Sequence, residues 1–174
     1  MQRRMTTPDP ITFRPPTPAD GHRVRTLVAA CAPLDLNSTY AYLLLCTYFA
    51  GTCAVAEHDD TLVGFLSGYR RPDAPDTLFV WQVAVGAAAR GHGVGGRLLR
   101  EVLDRAALAD IRHVETTINP SNDASWALFR QLARERGADC SERTLFRRED
   151  FGPEAHEDER LLRIGPLTRS THAS

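Results

Sequence analysis

The sequence predicts one mixed α/β (α+β) domain, a central sheet of about seven strands with four helices packed against it. Three observations carry that reading. Apolar residues make up 43% and charged residues 25% of the 174-residue chain, which is the globular range and length enough for a core of its own. Hydrophobic periodicity switches between strand-like and helix-like along the chain, in the order β-α-α-β-β-β-α-β-α-β-β. The most apolar strand, residues 78–85, is followed by a glycine-rich stretch that opens a helix.

The elements follow in order. Residues 11–14 read as a short strand. Thr17-Pro18-Ala19-Asp20 then starts a helix, with threonine at the cap, proline at the first position and an acid in the first turn. Val24, Leu27, Val28 and Cys31 give it one apolar stripe, and Pro33 stops it. Asn37 or Ser38 caps a second helix that runs to Tyr48, apolar on nearly all sides from Tyr42 to Cys46. Residues 52–57 and 62–69 flank His58-Asp59-Asp60 as a β-hairpin, and the 70–76 segment, with two prolines and two aspartates, reads as a loop. The run 78–85 belongs in the sheet centre. The helix opening at 91–96 has Val94, Leu98, Leu99, Val102, Leu103 and Ala106 at apolar positions. Residues 113–118 form a strand. Asn122 caps a helix to about Arg136 that turns Trp126, Phe129, Leu132 and Ala133 inward, and residues 141–147 and 161–164 are the last two strands. The domain therefore spans 11–167. The tails, 1–10 and 168–174, lack periodicity and are expected to be disordered.

Composition excludes several classes of function. A net charge of −1 gives no basic field for nucleic acid or an acidic membrane surface. All 21 cationic side chains are arginine, so chemistry that needs a Schiff-base or P-loop lysine is excluded. Cys31, Cys46, Cys53 and Cys140 form no Cys-x-x-Cys pair and no ligand spacing with histidine; they read as small buried residues of a reducing compartment, with no metal. The first ten residues carry no apolar signal segment and no run could span a bilayer, so a cytoplasmic protein is expected.

The glycine-rich loop carries the first chemical signal. In Arg90-Gly91-His92-Gly93-Val94-Gly95-Gly96, successive backbone N–H groups can converge on an anion at a helix N-terminus. No Lys-Ser/Thr pair follows, so it is not a P-loop. Gly91, Gly93 and Gly96 do satisfy a dinucleotide pattern, with Glu115 downstream where an acid would meet ribose. However, the residues between Val85 and Gly91, and three successive strands joined by short turns before the loop, argue against a doubly wound sheet. The remaining reading is Arg/Gln-x-x-Gly-x-Gly/Ala, matched by Arg90, Gly93 and Gly95 after Val83-Ala84-Val85. On these residues and the element order the chain resembles the GNAT superfamily of acetyltransferases. The resemblance implies a GNAT fold and acetyl-CoA as co-substrate, held by Val83, Ala84, Val85, Arg90, Gly91, His92, Gly93, Val94, Gly95 and Gly96. Asn122, Ser125 and Phe129 match the superfamily's Asn-x-x-Ala/Ser-x-x-x-Tyr pattern along the pantetheine. Phe129 departs from it, because phenylalanine cannot protonate a leaving thiolate.

A more specific resemblance covers about residues 13–166. Asp35-x-Asn37-Ser38-x-Tyr40-x-Tyr42-Leu43-Leu44-Leu45-Cys46, Phe79-Val80-Trp81-Gln82-Val83-Ala84-Val85, the 115–122 stretch and His156-Glu157-Asp158-Glu159 are similar to the diaminobutyrate acetyltransferases of ectoine biosynthesis. This implies acetyl transfer to the 4-amino group of L-2,4-diaminobutyrate, a homodimer, and Thr116 and Asn119 near the acceptor. The chemistry agrees. A diamino acid carries two ammonium groups and a carboxylate, so Asp35 with Glu157 or Glu159 could hold the cationic ends beside His156. Asn37, Ser38 and Thr39 at a helix start could hold the carboxylate, and Trp81 could wall the cation. Tyr40 and Tyr42 point to different helix faces, and Tyr40 is the one expected in the site. Trp81 and Gln82 alternate on a strand, so one of them should face the cleft. Asp35, Tyr40, Glu115 and Glu159 are all candidates to deprotonate the amine. No cysteine stands beside a histidine base, so direct attack in a ternary complex is expected. An acetyltransferase for another small amine, or a non-catalytic acyl-CoA sensor, is the alternative.

Overall fold

The computed structural model describes residues 10–168, so the expected disordered tails lie outside the described residues except for Pro10 and Thr168. Thr168 is tied down: its N–H donates to the Arg136 carbonyl at 3.1 Å. The strands are β1 (Thr12–Arg14), β2 (Ala54–His58), β3 (Thr61–Arg71), β4 (Ala74–Val85), β5 (His113–Ile118), β6 (Cys140–Phe146) and β7 (Glu159–Ile164). They form one sheet in the order β1-β2-β3-β4-β5-β7-β6, antiparallel throughout except for β4 and β5. The helices are α1 (Gly21–Ala29), α2 (Thr39–Tyr48), α3 (Val94–Leu103) and α4 (Asp123–Glu135). The sheet separates two cores. One packs α3 and α4 through Leu98, Leu99, Val102, Phe129 and Leu132 against Leu78, Val80, Val114 and Leu162; the other packs α1 and α2 through Val24, Val28, Tyr42 and Cys46 against Val55, Phe65 and Ala84.

Two local expectations change. Residues 18–20 form a tight 3-10 turn before α1 because the buried Asp20 carboxylate accepts the Thr17 N–H at 2.8 Å and pairs with Arg14 and Arg23. The 70–76 segment is a hairpin between extended strands instead of a loop. Its side chains act as staples: Arg70 pairs with Asp110 at 2.6 Å, and Arg71 with Asp73 at 2.5 Å and Glu115 at 2.8 Å. Asp59 and Asp60 have φ of 47° and 57°, so the β2–β3 hairpin closes on a two-residue turn that follows the twist of the strands.

The feature that positions the site is a bulge in β4. Ser67 pairs with Gln82 and Gly68 with Val80, which leaves Trp81 as the extra residue. The bulge flips the strand's parity. Leu78 and Val80 face α3 and α4, and beyond the bulge it is Val83 and Val85 that pack there, while Ala84 joins the α1–α2 core. Pairing of β4 with β5 stops at the same point, at Val80 and Thr116. From there the two strands part, and a cleft opens between them.

Candidate active site

On one side of the cleft lies a cavity of about 510 Å³, lined by Val83 and Val85 of β4, residues of the glycine loop, and Asn122, Ser125, Leu128 and Gln131 of α4. Gly93 is left-handed at φ 71° and serves as the N-cap of α3, and Gly91 is also left-handed at 78°. Both conformations favour glycine and turn backbone N–H groups outward. The Arg97 N–H closes the first helical bond onto the Gly93 carbonyl at 3.1 Å, so the N–H groups at the α3 start have no partner inside the helix. Arg90 clamps the loop to the strand end through Nε to the Val85 carbonyl at 3.1 Å. The result is a set of backbone N–H groups that can cradle an anion, on the wall of a channel that also reaches Val83 near the strand split.

The channel continues into a smaller compartment of about 190 Å³, walled by Asp35, Asn37, Trp81, Gln82, Thr116, Asn119, Phe129 and Glu159 among others. Pro33, Leu34, Val83, Asn122 and Ser125 border both spaces. Asn119 donates through Nδ2 to Glu159 Oε1 at 3.0 Å, and Asn37 Nδ2 is buried without a hydrogen-bond partner among the described residues. His156 lines an adjoining outer recess with Asp35 and Glu157. Its Nε2 lies 3.8 Å from Asp35 and 3.7 Å from Glu159, and its ring stacks on Phe151 at 3.7 Å. The Glu157 carbonyl on Nδ1 raises the His156 pKa above its ordinary 6.5; burial opposes this, and Glu159 and Asp35 add to it. Glu157 itself is bound to the Ser121 hydroxyl.

Several expected site residues stand elsewhere, each for a physical reason. Glu115 is 3% exposed and lines neither space, because Arg71 at 2.8 Å and Arg163 at 2.6 Å hold it as the centre of an ion triad. Tyr40 is 69% exposed and lines neither space, whereas Tyr42, expected in the core, is fully buried and reaches the cleft's polar wall. Ser38 spends its hydroxyl as the α2 cap, accepting from the Ala41 N–H at 3.1 Å, and Thr39 lies outside both spaces; of the three expected carboxylate holders Asn37 alone lines the compartment. Ala84 turns its side chain into the α1–α2 core. His92 turns its ring back to the Arg90 carbonyl. Phe129 borders the smaller compartment and not the channel. Trp81 and Gln82 both line that compartment, which strand alternation forbids and the bulge permits.

Residues the sequence reading passed over also contribute. Leu128 and Gln131 follow Ser125 at helical spacing, a signal available from Asn122 onward. Gln82, already weighed against Trp81 for the cleft, is the one polar residue in an apolar run. Pro33 and Leu34 carry no such signal.

The profile of the Acetyltransferase (GNAT) family matches residues 22–133. An L-2,4-diaminobutyric acid acetyltransferase of Bordetella parapertussis is 52% identical over 161 residues, 92% of this chain and 87% of that protein. Its counterpart in Halomonas elongata is 50% identical over 159 residues, 91% and 82% of the two chains. Among solved structures, diaminobutyrate acetyltransferase EctA from Paenibacillus lautus, in complex with its substrate L-2,4-diaminobutyric acid and coenzyme A, superposes with a TM-score of 0.90. It is 40% identical, over 94% of this chain and 99% of that one.

Proposed function

The chain belongs to the GNAT acetyltransferases and, within them, to the L-2,4-diaminobutyric acid acetyltransferases, and from that premise we propose the following route for its reaction. Acetyl passes from acetyl-CoA to the 4-amino group of L-2,4-diaminobutyrate, giving N4-acetyl-L-2,4-diaminobutyrate for ectoine biosynthesis in the cytoplasm. One observation supports this above others: an anion-cradling channel opens, through the β4–β5 split, onto a compartment edged by carboxylates. The channel takes the coenzyme with its pyrophosphate on the Gly91–Gly96 amides. Beyond Val80 the cleft edge of β4 has no strand partner, so a free N–H near Ala84 or Val85 polarises the thioester carbonyl.

In the smaller compartment Asp35 and Glu159 hold the ammonium groups, and the unpartnered Asn37 amide donates to the substrate carboxylate. Of the other candidate bases, Glu115 is held by Arg71 and Arg163, and Tyr40 lines neither space. His156 takes the proton, since it stands beside both carboxylates and the Glu157 carbonyl raises its pKa above the ordinary 6.5. Attack is direct, within a ternary complex. The apolar residues Tyr40, Leu43 and Tyr48, exposed at helical spacing on α2, support a homodimer.

The test is release of free thiol from acetyl-CoA in the presence of diaminobutyrate, ornithine, lysine or putrescine. Diaminobutyrate should give the highest kcat/KM. A flat profile, or preference for putrescine, rejects the substrate; no binding of acetyl-CoA in calorimetry rejects the channel.

A further inference from the structure

Two buried polar side chains join α2 and β4 to the loop that roofs the acceptor compartment. Tyr42 is fully buried and Gln82 is 4% exposed. The Tyr42 hydroxyl donates to Gln82 Oε1 at 3.2 Å and accepts the Asn37 backbone N–H at 3.3 Å. Gln82 Nε2 donates to the Asp35 carbonyl at 2.7 Å, and the Gln82 backbone N–H is taken by the buried Ser67 hydroxyl at 3.2 Å. The backbone of residues 35 and 37 is thus gripped by side chains from outside the loop. Burying an amide and a phenol between a helix and a sheet costs free energy unless every group is bonded. Here the bonds that satisfy them end on two residues that line the compartment, Asp35 and Asn37. The bulge at Trp81 makes this possible, because without it Gln82 would face α3 and α4.

We infer that Tyr42 and Gln82 are positioning residues for the acceptor: together they hold the Asp35 and Asn37 backbones so that the carboxylate and amide those residues carry meet the diamino acid. The inference rests on the reading of the 190 Å³ compartment as the acceptor site. It assigns no contact with substrate to either residue's reacting atoms. Tyr42 and Gln82 act through the loop.

The experiment is steady-state kinetics of Tyr42→Phe and Gln82→Met, with Asp35→Asn and the double variant alongside and melting temperatures recorded for each. Tyr42→Phe keeps the ring that meets Phe65 edge-on at 6.1 Å, and Gln82→Met keeps the volume, so both are expected to fold. Each should raise KM for diaminobutyrate on the order of tenfold, with kcat and KM for acetyl-CoA changing less than about threefold. The double variant should be little worse than the worse single, because both act through one chain of bonds. An unchanged acceptor KM in both singles, or a fall in kcat with both KM values unchanged, overturns the inference. If Asp35→Asn alone raises KM, the positioning role fails and the acceptor site stands; if Asp35→Asn also leaves KM unchanged, the acceptor reading itself has failed.

Discussion

At the scale of single residues the site works by setting charges against one another. His156 sits beside two carboxylates that, in the proposed reaction, the substrate's ammonium groups also seek. Its pKa is raised by the Glu157 carbonyl and, after the opposing effect of burial, by Glu159 and Asp35. When the diamino acid arrives, its positive charges neutralise those acids and the pull on the imidazole weakens, so the ring more readily gives up its own proton and becomes a base. The acid limb of the kcat/KM profile should therefore lie above pH 6.5, the ordinary histidine value, and the limb of kcat should lie lower. His156→Gln should remove the limb and cost about a hundredfold in kcat. A variant that keeps both limb and rate returns His156 to a binding role. Other roles in the site were not legible from residue type. The contact of Asp35 with His156 does not show in its residue type, and Glu115 reads as a base until two arginines are found on it. Both facts depend on partners distant in sequence.

At the scale of elements, the ion network of Arg14, Asp20, Arg23 and Glu57 ties β1 and the start of α1 to the β2–β3 hairpin. Arg14 grips Asp20 at 2.7 and 3.0 Å and Glu57 at 2.9 Å, and Arg23 reaches both acids. Burial pushes the Asp20 carboxyl up, but Arg14, the Thr17 N–H and the charge of Arg23 outweigh it and hold it near 2, below the ordinary 3.8. A depressed carboxylate stabilises the fold above its unfolded pKa and loses that contribution as pH falls through the folded value. Asp20→Asn should thus cost about 2 kcal/mol at pH 7, a deficit that shrinks as pH drops from about 4 to about 2, read by urea unfolding across that range. A pH-independent deficit would show that packing, and not charge, is what the variant loses. Element boundaries were mostly legible because caps and periodicity are local. The bulge was not, since Trp81 and Gln82 obey strand alternation on paper and the pairing of Ser67 and Gly68 breaks it. The hairpin read as a loop at 70–76 failed for the same reason, as its staples Asp110 and Glu115 lie some forty residues on.

At the scale of the whole molecule the fold class was written in the order of elements, and the proposed phosphate loop in its glycines. The proposed pairing of two chains was implied by the resemblance alone, composition being silent on it. Tyr40, expected beside the substrate, instead stands with Leu43 and Tyr48 on an open apolar stripe of α2, and the homodimer proposed above buries it. Sedimentation equilibrium should give about twice the 19.3 kDa chain mass, and Tyr40→Glu should return the monomer; a monomeric parent protein disproves the pairing. The parting of β4 from β5 has a consequence for the order of events. The channel and the compartment share Pro33, Leu34, Val83, Asn122 and Ser125, and each has lining residues of its own beyond these. In the proposed reaction each reactant therefore has a lining of its own, and either can be seated before the other.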